Sequence, residues 1–96
     1  MRQNDVLQAL SQFRQDRRDE FGIIRIGIFG SAARDQMMDE SDIDVVVELA
    51  EPDLLALVGI KQELEGLFHR SVDIVRYRAK MNAFLKRRIE QEAVYA

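Results

Sequence analysis

Asp42 and Asp44, in Ser41-Asp42-Ile43-Asp44-Val45-Val46-Val47, and Asp73, in Ser71-Val72-Asp73-Ile74-Val75, are the residues on which the chemistry of this chain turns. All three lie on or beside short apolar runs that read as strands. Residues two apart on a strand share a face, so Asp42 and Asp44 project together, about 6.6 Å apart along the chain, while Ile43, Val45 and Val47 take the core side. Paired carboxylates with no basic neighbour in sequence repel each other, and a divalent cation removes that cost. An all-oxygen donor set selects magnesium or manganese. Zinc is poorly supported, since His69 is the only histidine and there is no cysteine. If Asp73 stands on an adjacent strand and faces the same way, three acids converge. That suffices for two ions about 3.5–4 Å apart, which clamp the attacking and leaving oxygens of a phosphoryl transfer.

Gly30-Ser31 supplies the anion side of such a site. Glycine lets a backbone approach a ligand closely, and the amides of Ser31 and Ala32 would open a helix whose positive end faces phosphate. The Ser31 hydroxyl adds a hydrogen bond, and Arg34, one turn on, has the fork geometry to reach an outer phosphate. Each piece alone is commonplace, a turn or a polar strand end. Only their joint spacing points to one mechanism.

The elements that must position these residues follow from periodicity. Residues 4–20 carry Val6, Leu7, Leu10 and Phe13 on one helical stripe, with Asn4 or Asp5 as candidate cap. Ile23 to Phe29 reads as a strand ended by Gly30, Ser31 to Gln36 as one or two helical turns, and Met37 to Ser41 as a loop. Asp42 to Leu49 is apolar on both faces beyond the aspartates, which places it centrally in a sheet. Pro52 suits the first position of a helix whose stripe is Leu54, Leu57, Val58, Lys61, Leu64, Leu67 and Phe68. Val72 to Arg76 is a third strand. A last helix, Ala79 to Tyr95, buries Met81, Phe84, Leu85, Ile89 and Val94. The expected fold is α/β, a small mixed sheet of three to four strands with helices packed on it.

The 96 residues are expected to form one domain, with 47% hydrophobic and 32% charged residues typical of an ordinary globular protein. No apolar stretch reaches the length of a membrane span, and no signal-peptide pattern follows Met1, so a cytoplasmic setting is expected. The net charge of -3 weighs against a dedicated nucleic-acid-binding module. The basic residues Arg14, Arg17 and Arg18, and those from Arg70 to Arg88, read as solvated helix faces. Arg76 and Arg78 follow Asp73 closely enough to be weak candidates for phosphate or partner contact. His69 reads as a surface or capping residue, and Tyr77 and Tyr95 as packing.

The segments Phe29-Gly30-Ser31-Ala32-Ala33-Arg34 and Ser41-Asp42-Ile43-Asp44-Val45-Val46-Val47 resemble the signature of the polymerase-beta-type nucleotidyltransferase superfamily. The small size points to its minimal branch, the MNT antitoxins paired with HEPN-domain toxins. The C-terminal segment Ile89 to Tyr95 is also similar to that branch's last helix. The resemblance runs from about Phe21 onward. It implies that Asp42 and Asp44 ligate two magnesium ions, that Asp73 binds the catalytic ion and helps activate the incoming hydroxyl, and that Gly30 and Ser31 hold the phosphates of ATP. It also implies the acceptor, a tyrosine of a HEPN-type toxin held in a hetero-complex. The family commonly carries glycine after the arginine, where this chain has Asp35. An acid facing the site there would weaken triphosphate binding.

Two other functions fit the residues. The chain could neutralise a partner by occlusion alone, or transfer a nucleotide to a small molecule with a partner subunit completing the pocket. Clustered acids that do no chemistry are costly, which counts against pure occlusion.

Overall fold

A computed structural model describes residues 1–38 and 40–96. The elements are α1 (Gln3–Phe21), β1 (Ile23–Phe29), α2 (Gly30–Ala33), β2 (Ile43–Leu49), α3 (Leu54–Phe68), β3 (Val72–Arg76), α4 (Ala83–Glu92) and β4 (Val94–Tyr95). The four strands form one mixed sheet in the order β3-β2-β1-β4, with β1 antiparallel to β2 and β4 and β2 parallel to β3. β2 is therefore central, as its two-sided apolar pattern requires. The loop expected over residues 37–41 includes Asp39, which lies outside the described residues.

Alternation along the strands divides the core between two faces. On one, Val6, Leu10 and Phe13 of α1 and Ala56, Ile60, Leu64 and Phe68 of α3 cover Ile26, Ile28, Ile43, Val45 and Val47. On the other, Ile89 of α4 packs with Phe29 and Val46. The β1–β2 register shifts between Ile23 and Arg25, which leaves Ile24 as an extra, exposed residue. This bulge keeps Ile23, Ile26 and Ile28 on the same core side although their spacing is not strictly two. Gly27 is required by β4: a Cβ there would lie 2.9 Å from the Cα of Tyr95.

Four expectations are corrected. Asn4 and Asp5 lie inside the first turn of α1, where the Asp5 carboxylate reaches back to accept from the Arg2 N–H at 3.1 Å. Pro52 precedes α3 instead of opening it. Asp53 is the cap and accepts from the Ala56 N–H at 3.2 Å. The buried stripe of α3 is Ala56, Ile60, Leu64 and Phe68, whereas Leu54, Val58 and Leu67 are exposed. Its first turns are apolar all round, so several stripes at helical spacing fit, and the sheet selects one. Finally, the last helix begins only after Asn82, which caps it by accepting from Leu85, and it ends at Glu92. Phe84 is exposed, and Val94 and Tyr95 leave the helix to pair with Ile28 and Gly27 of β1. Among the described residues no helix is long and apolar enough to cross a membrane.

Candidate active site

β1 ends, and β2 and β3 begin, at one edge of the sheet, because β1 runs against β2 while β3 runs with it. Register then decides which side chains meet there. Phe29 pairs with Asp44, and Asp44 pairs with Asp73. Residues paired across adjacent strands share a face, so Asp73 stands beside Asp44 on the side that carries α4. The condition set by the sequence, that Asp73 face the same way, is met. Asp42 is exposed and lies one residue before β2, at the mouth of the same edge.

Local contacts hold these acids in place. Arg70 donates to the Met38 carbonyl at 2.8 Å, and Ser41 Oγ accepts from the Met38 N–H at 3.0 Å, tying down the approach to Asp42. At the start of β3 the Val72 N–H donates to Glu65 at 2.9 Å, and Lys61 Nζ donates to the Val72 carbonyl at 2.7 Å. The polar interruption at Lys61 in α3 is thereby explained, since it fixes the residue next to Asp73. The Val72 N–H, and then Lys61, hold the Glu65 carboxyl below its ordinary range.

Asp44 is half-buried, and its carboxyl is held above the usual carboxylate range. Burial is the main cause, followed by the negative charge of Asp73. Arg88 opposes the shift, Asp42 adds to it, and Arg34 opposes it least. Burial and two neighbouring acids thus outweigh the two arginines. Among the described residues no three acids or histidines are closed tightly enough to hold an ion as they stand. The donor chemistry nevertheless fits magnesium or manganese: oxygen ligands only, on one edge, with like charges that a cation would relieve. Asp42, Asp44 and Asp73 would hold it.

Gly30 turns the chain out of β1 at φ +66°, in the left-handed region. A Cβ there would collide with the Asp44 Oδ2 and come within 3.2 Å of its Cγ. Only glycine lets the acid lie against the turn. The helix after it, Gly30–Ala33, is the shorter of the one or two turns expected, so its dipole gives an anion little. Positive charge comes instead from Arg34 and from Arg88, whose guanidinium lies 5.6 Å from the centre of the Phe29 ring. Both arginines contact Glu92, Arg34 Nη1 at 3.4 Å and Arg88 Nε at 3.3 Å, and the Gly30 N–H also points at Glu92, at 3.4 Å. Half-exposed pairs of this kind are worth about 0–1 kcal/mol each.

Sequence reasoning missed both Arg88, which it took for part of a solvated helix face, and Glu92, to which it gave no role. Their i,i+4 spacing was the one available signal. Arg76 is not in this site: it pairs with Val47 at the far end of β3, about 10 Å along the strand from Asp73. Tyr77 and Tyr95 flank the Arg25 guanidinium, with ring centres 5.0 and 4.4 Å away, and so serve packing.

Asp35 also turns away. It adopts φ +53°, a conformation in which glycine would be at ease, and its Oδ1 accepts from the Gln3 N–H at 3.0 Å at the start of α1. Its carboxylate is spent on a helix end and does not face the acids. Replacing it, Asp35→Ala, should cost about 1 kcal/mol in urea denaturation and leave nucleotide affinity within about two-fold.

A mixed sheet that gathers acids of two parallel strands beside a Gly-Ser turn is the architecture of a nucleotidyltransferase. Residues 10–96 match the nucleotidyltransferase domain family, and the chain belongs to it. It is 29% identical over 92 residues to the protein adenylyltransferase MntA of Thermococcus cleftensis, covering 95% of this chain and 92% of that one. A solved structure described as a minimal nucleotidyltransferase superposes with a TM-score of 0.79 at 32% identity, over 98% of this chain and 95% of the other. The chain is also similar in fold, at a TM-score of 0.72 and 21% identity, to a complex of tri-AMPylated Shewanella oneidensis HEPN toxin with MNT antitoxin, covering 97% of this chain and 70% of that one.

Proposed function

We propose that this chain transfers AMP from ATP to a tyrosine hydroxyl of a HEPN-type toxin and thereby silences it. The observation that carries the reading is the pairing of Asp44 with Asp73 at the edge where Gly30 leaves β1. The adenylyltransferase name of the Thermococcus relative and the AMPylated toxin in the Shewanella complex support the choice of donor and acceptor.

In this reaction the acceptor hydroxyl attacks the α-phosphorus of ATP, and pyrophosphate leaves. Asp42, Asp44 and Asp73 would hold two magnesium ions, with manganese as a substitute, and the ions would supply charge neutralisation at the phosphoryl oxygens. Asp73 orients the acceptor hydroxyl and takes up its proton. Gly30 lets the backbone approach the phosphates, Ser31 donates to them, and Arg34 reaches an outer phosphate oxygen. The 96 residues act as one domain, and the acceptor would be a protein that brings its own surface to the site. ATP as donor sets the pair in the cytoplasm.

Neutralisation by occlusion is the rival reading. The two are separated by co-expressing the cognate toxin with wild-type chain or with an Asp42→Asn/Asp44→Asn double variant. Loss of protection by the double variant, at equal expression and equal complex formation, supports transfer. Equal protection overturns it.

A further inference from the structure

Glu92 lies where a ligand anion would be expected. Its Oε2 accepts from the Gly30 N–H at 3.4 Å and from Arg88 Nε at 3.3 Å, while Oε1 meets Arg34 Nη1 at 3.4 Å. Three donors, two from α2 and its C-cap and one from α4, thus converge on one carboxylate beside the acid cluster. Helix electrostatics do not account for it. Glu92 is the last residue of α4, where the negative end of the helix disfavours an acid. Its place is explained by the donors it satisfies, two half-exposed guanidinium groups and one turn amide.

We propose that the Glu92 carboxylate stands in for a nucleotide phosphate, so that Arg88 joins Arg34 as a phosphate ligand and Glu92 must swing out before a triphosphate can bind. The proposal rests on the nucleotidyl-transfer reading and adds to it a ligand, Arg88, and a built-in competitor. The geometry suits an occupant that leaves. All three contacts are at the long end of hydrogen bonding, and the side chains of Arg34, Arg88 and Glu92 remain 46%, 41% and 29% exposed. A triphosphate offers the same donors more oxygens and more charge. Release of Glu92 needs only a rotamer change, because α4 ends at that residue and the chain beyond it is pinned separately by β4 pairing with β1. When Glu92 leaves, both guanidinium groups are released from that contact beside the Gly30 turn and available to incoming phosphates.

The test is calorimetric titration of the purified chain with ATP and magnesium, and separately with inorganic tripolyphosphate. Wild type is compared with Glu92→Gln, Arg88→Ala and Glu90→Gln. The last makes the same charge change at an exposed position of α4 that touches neither arginine. Glu92→Gln should bind both probes about five- to ten-fold more tightly, Arg88→Ala about ten-fold more weakly, and Glu90→Gln should stay within about two-fold. A thermal melt of each variant establishes that it is folded, and Glu92→Ala gives a second route should glutamine retain the contacts. Equal or weaker binding by both Glu92 variants relative to Glu90→Gln would overturn the competitor, even with wild-type binding intact. Absence of nucleotide binding by every protein would overturn the nucleotidyl-transfer reading, and the competitor with it.

Discussion

An Asp44→Asn chain will lose at least about a thousand-fold of its transfer rate, some 4 kcal/mol of transition-state stabilisation, without melting lower than wild type in the absence of metal. The two halves of this prediction have one cause. Asp44 sits half-buried beside Asp73 and Asp42, and its carboxyl is held above its ordinary value of 3.8, first by burial and then by Asp73. The folded protein therefore binds a proton at Asp44 more readily than the unfolded chain does. By linkage, stability from this group falls as pH rises from 3.8 through the raised folded value, and the full penalty stands at neutral pH. Asparagine removes the charge and with it the penalty. It also removes a proposed magnesium ligand, so magnesium should raise the melting temperature of wild type but not of Asp44→Asn. Melting curves from pH 7 down to about pH 4, with and without magnesium, check both signs. A variant that melts several degrees below wild type at neutral pH without metal would show that Asp44 serves the fold and not a cation.

Gly30→Ala is the second large effect, and it leaves every charged group in place. The added methyl would occupy the space of the Asp44 Oδ2, and alanine resists the left-handed conformation at φ +66°. The backbone strain alone costs about 1–2 kcal/mol. Relief comes only by moving Asp44 off the turn, or the turn off the sheet edge, and a shift near 1 Å at a reacting centre costs about a hundred-fold in rate. A loss of that size, with a melting temperature only a few degrees lower, is expected from kinetics and calorimetry together. Activity within a few-fold of wild type would mean that close approach of the turn to Asp44 has no part in the reaction.

Much of this site is legible in the chain because strand alternation is a strong local signal. The apolar run Ile23 to Phe29 and the run Val72 to Arg76 set their own boundaries, and β2 declares its central place by being apolar on both faces. What a run of residues cannot specify is register, so the pairing of Asp44 with Asp73 was a condition in the sequence and became a fact only in the sheet. The C-terminal region was misread for a related reason. Val94-Tyr95 is a strand of two residues with no period of its own, created by pairing along Gly27 and Ile28. That pairing ends α4 at Glu92 and delivers Arg88 and Glu92 to the acid edge, a placement that depends on long-range contact alone. Asp35 illustrates the converse. The sequence flags it as an unusual residue after Arg34, but only its φ of +53° and its bond to the Gln3 N–H explain how an acid is accommodated there.

Transfer to a protein acceptor is decided by the intact mass of the proposed partner, a HEPN-type toxin, after incubation with this chain, magnesium and ATP. An Asp42→Asn/Asp44→Asn chain runs in parallel. A gain of one or more AMP units on a tyrosine is expected, made by wild type and absent with the double variant. An unmodified toxin that is nonetheless bound and inactive would contradict transfer, and would make this nucleotidyltransferase fold an antitoxin by contact alone.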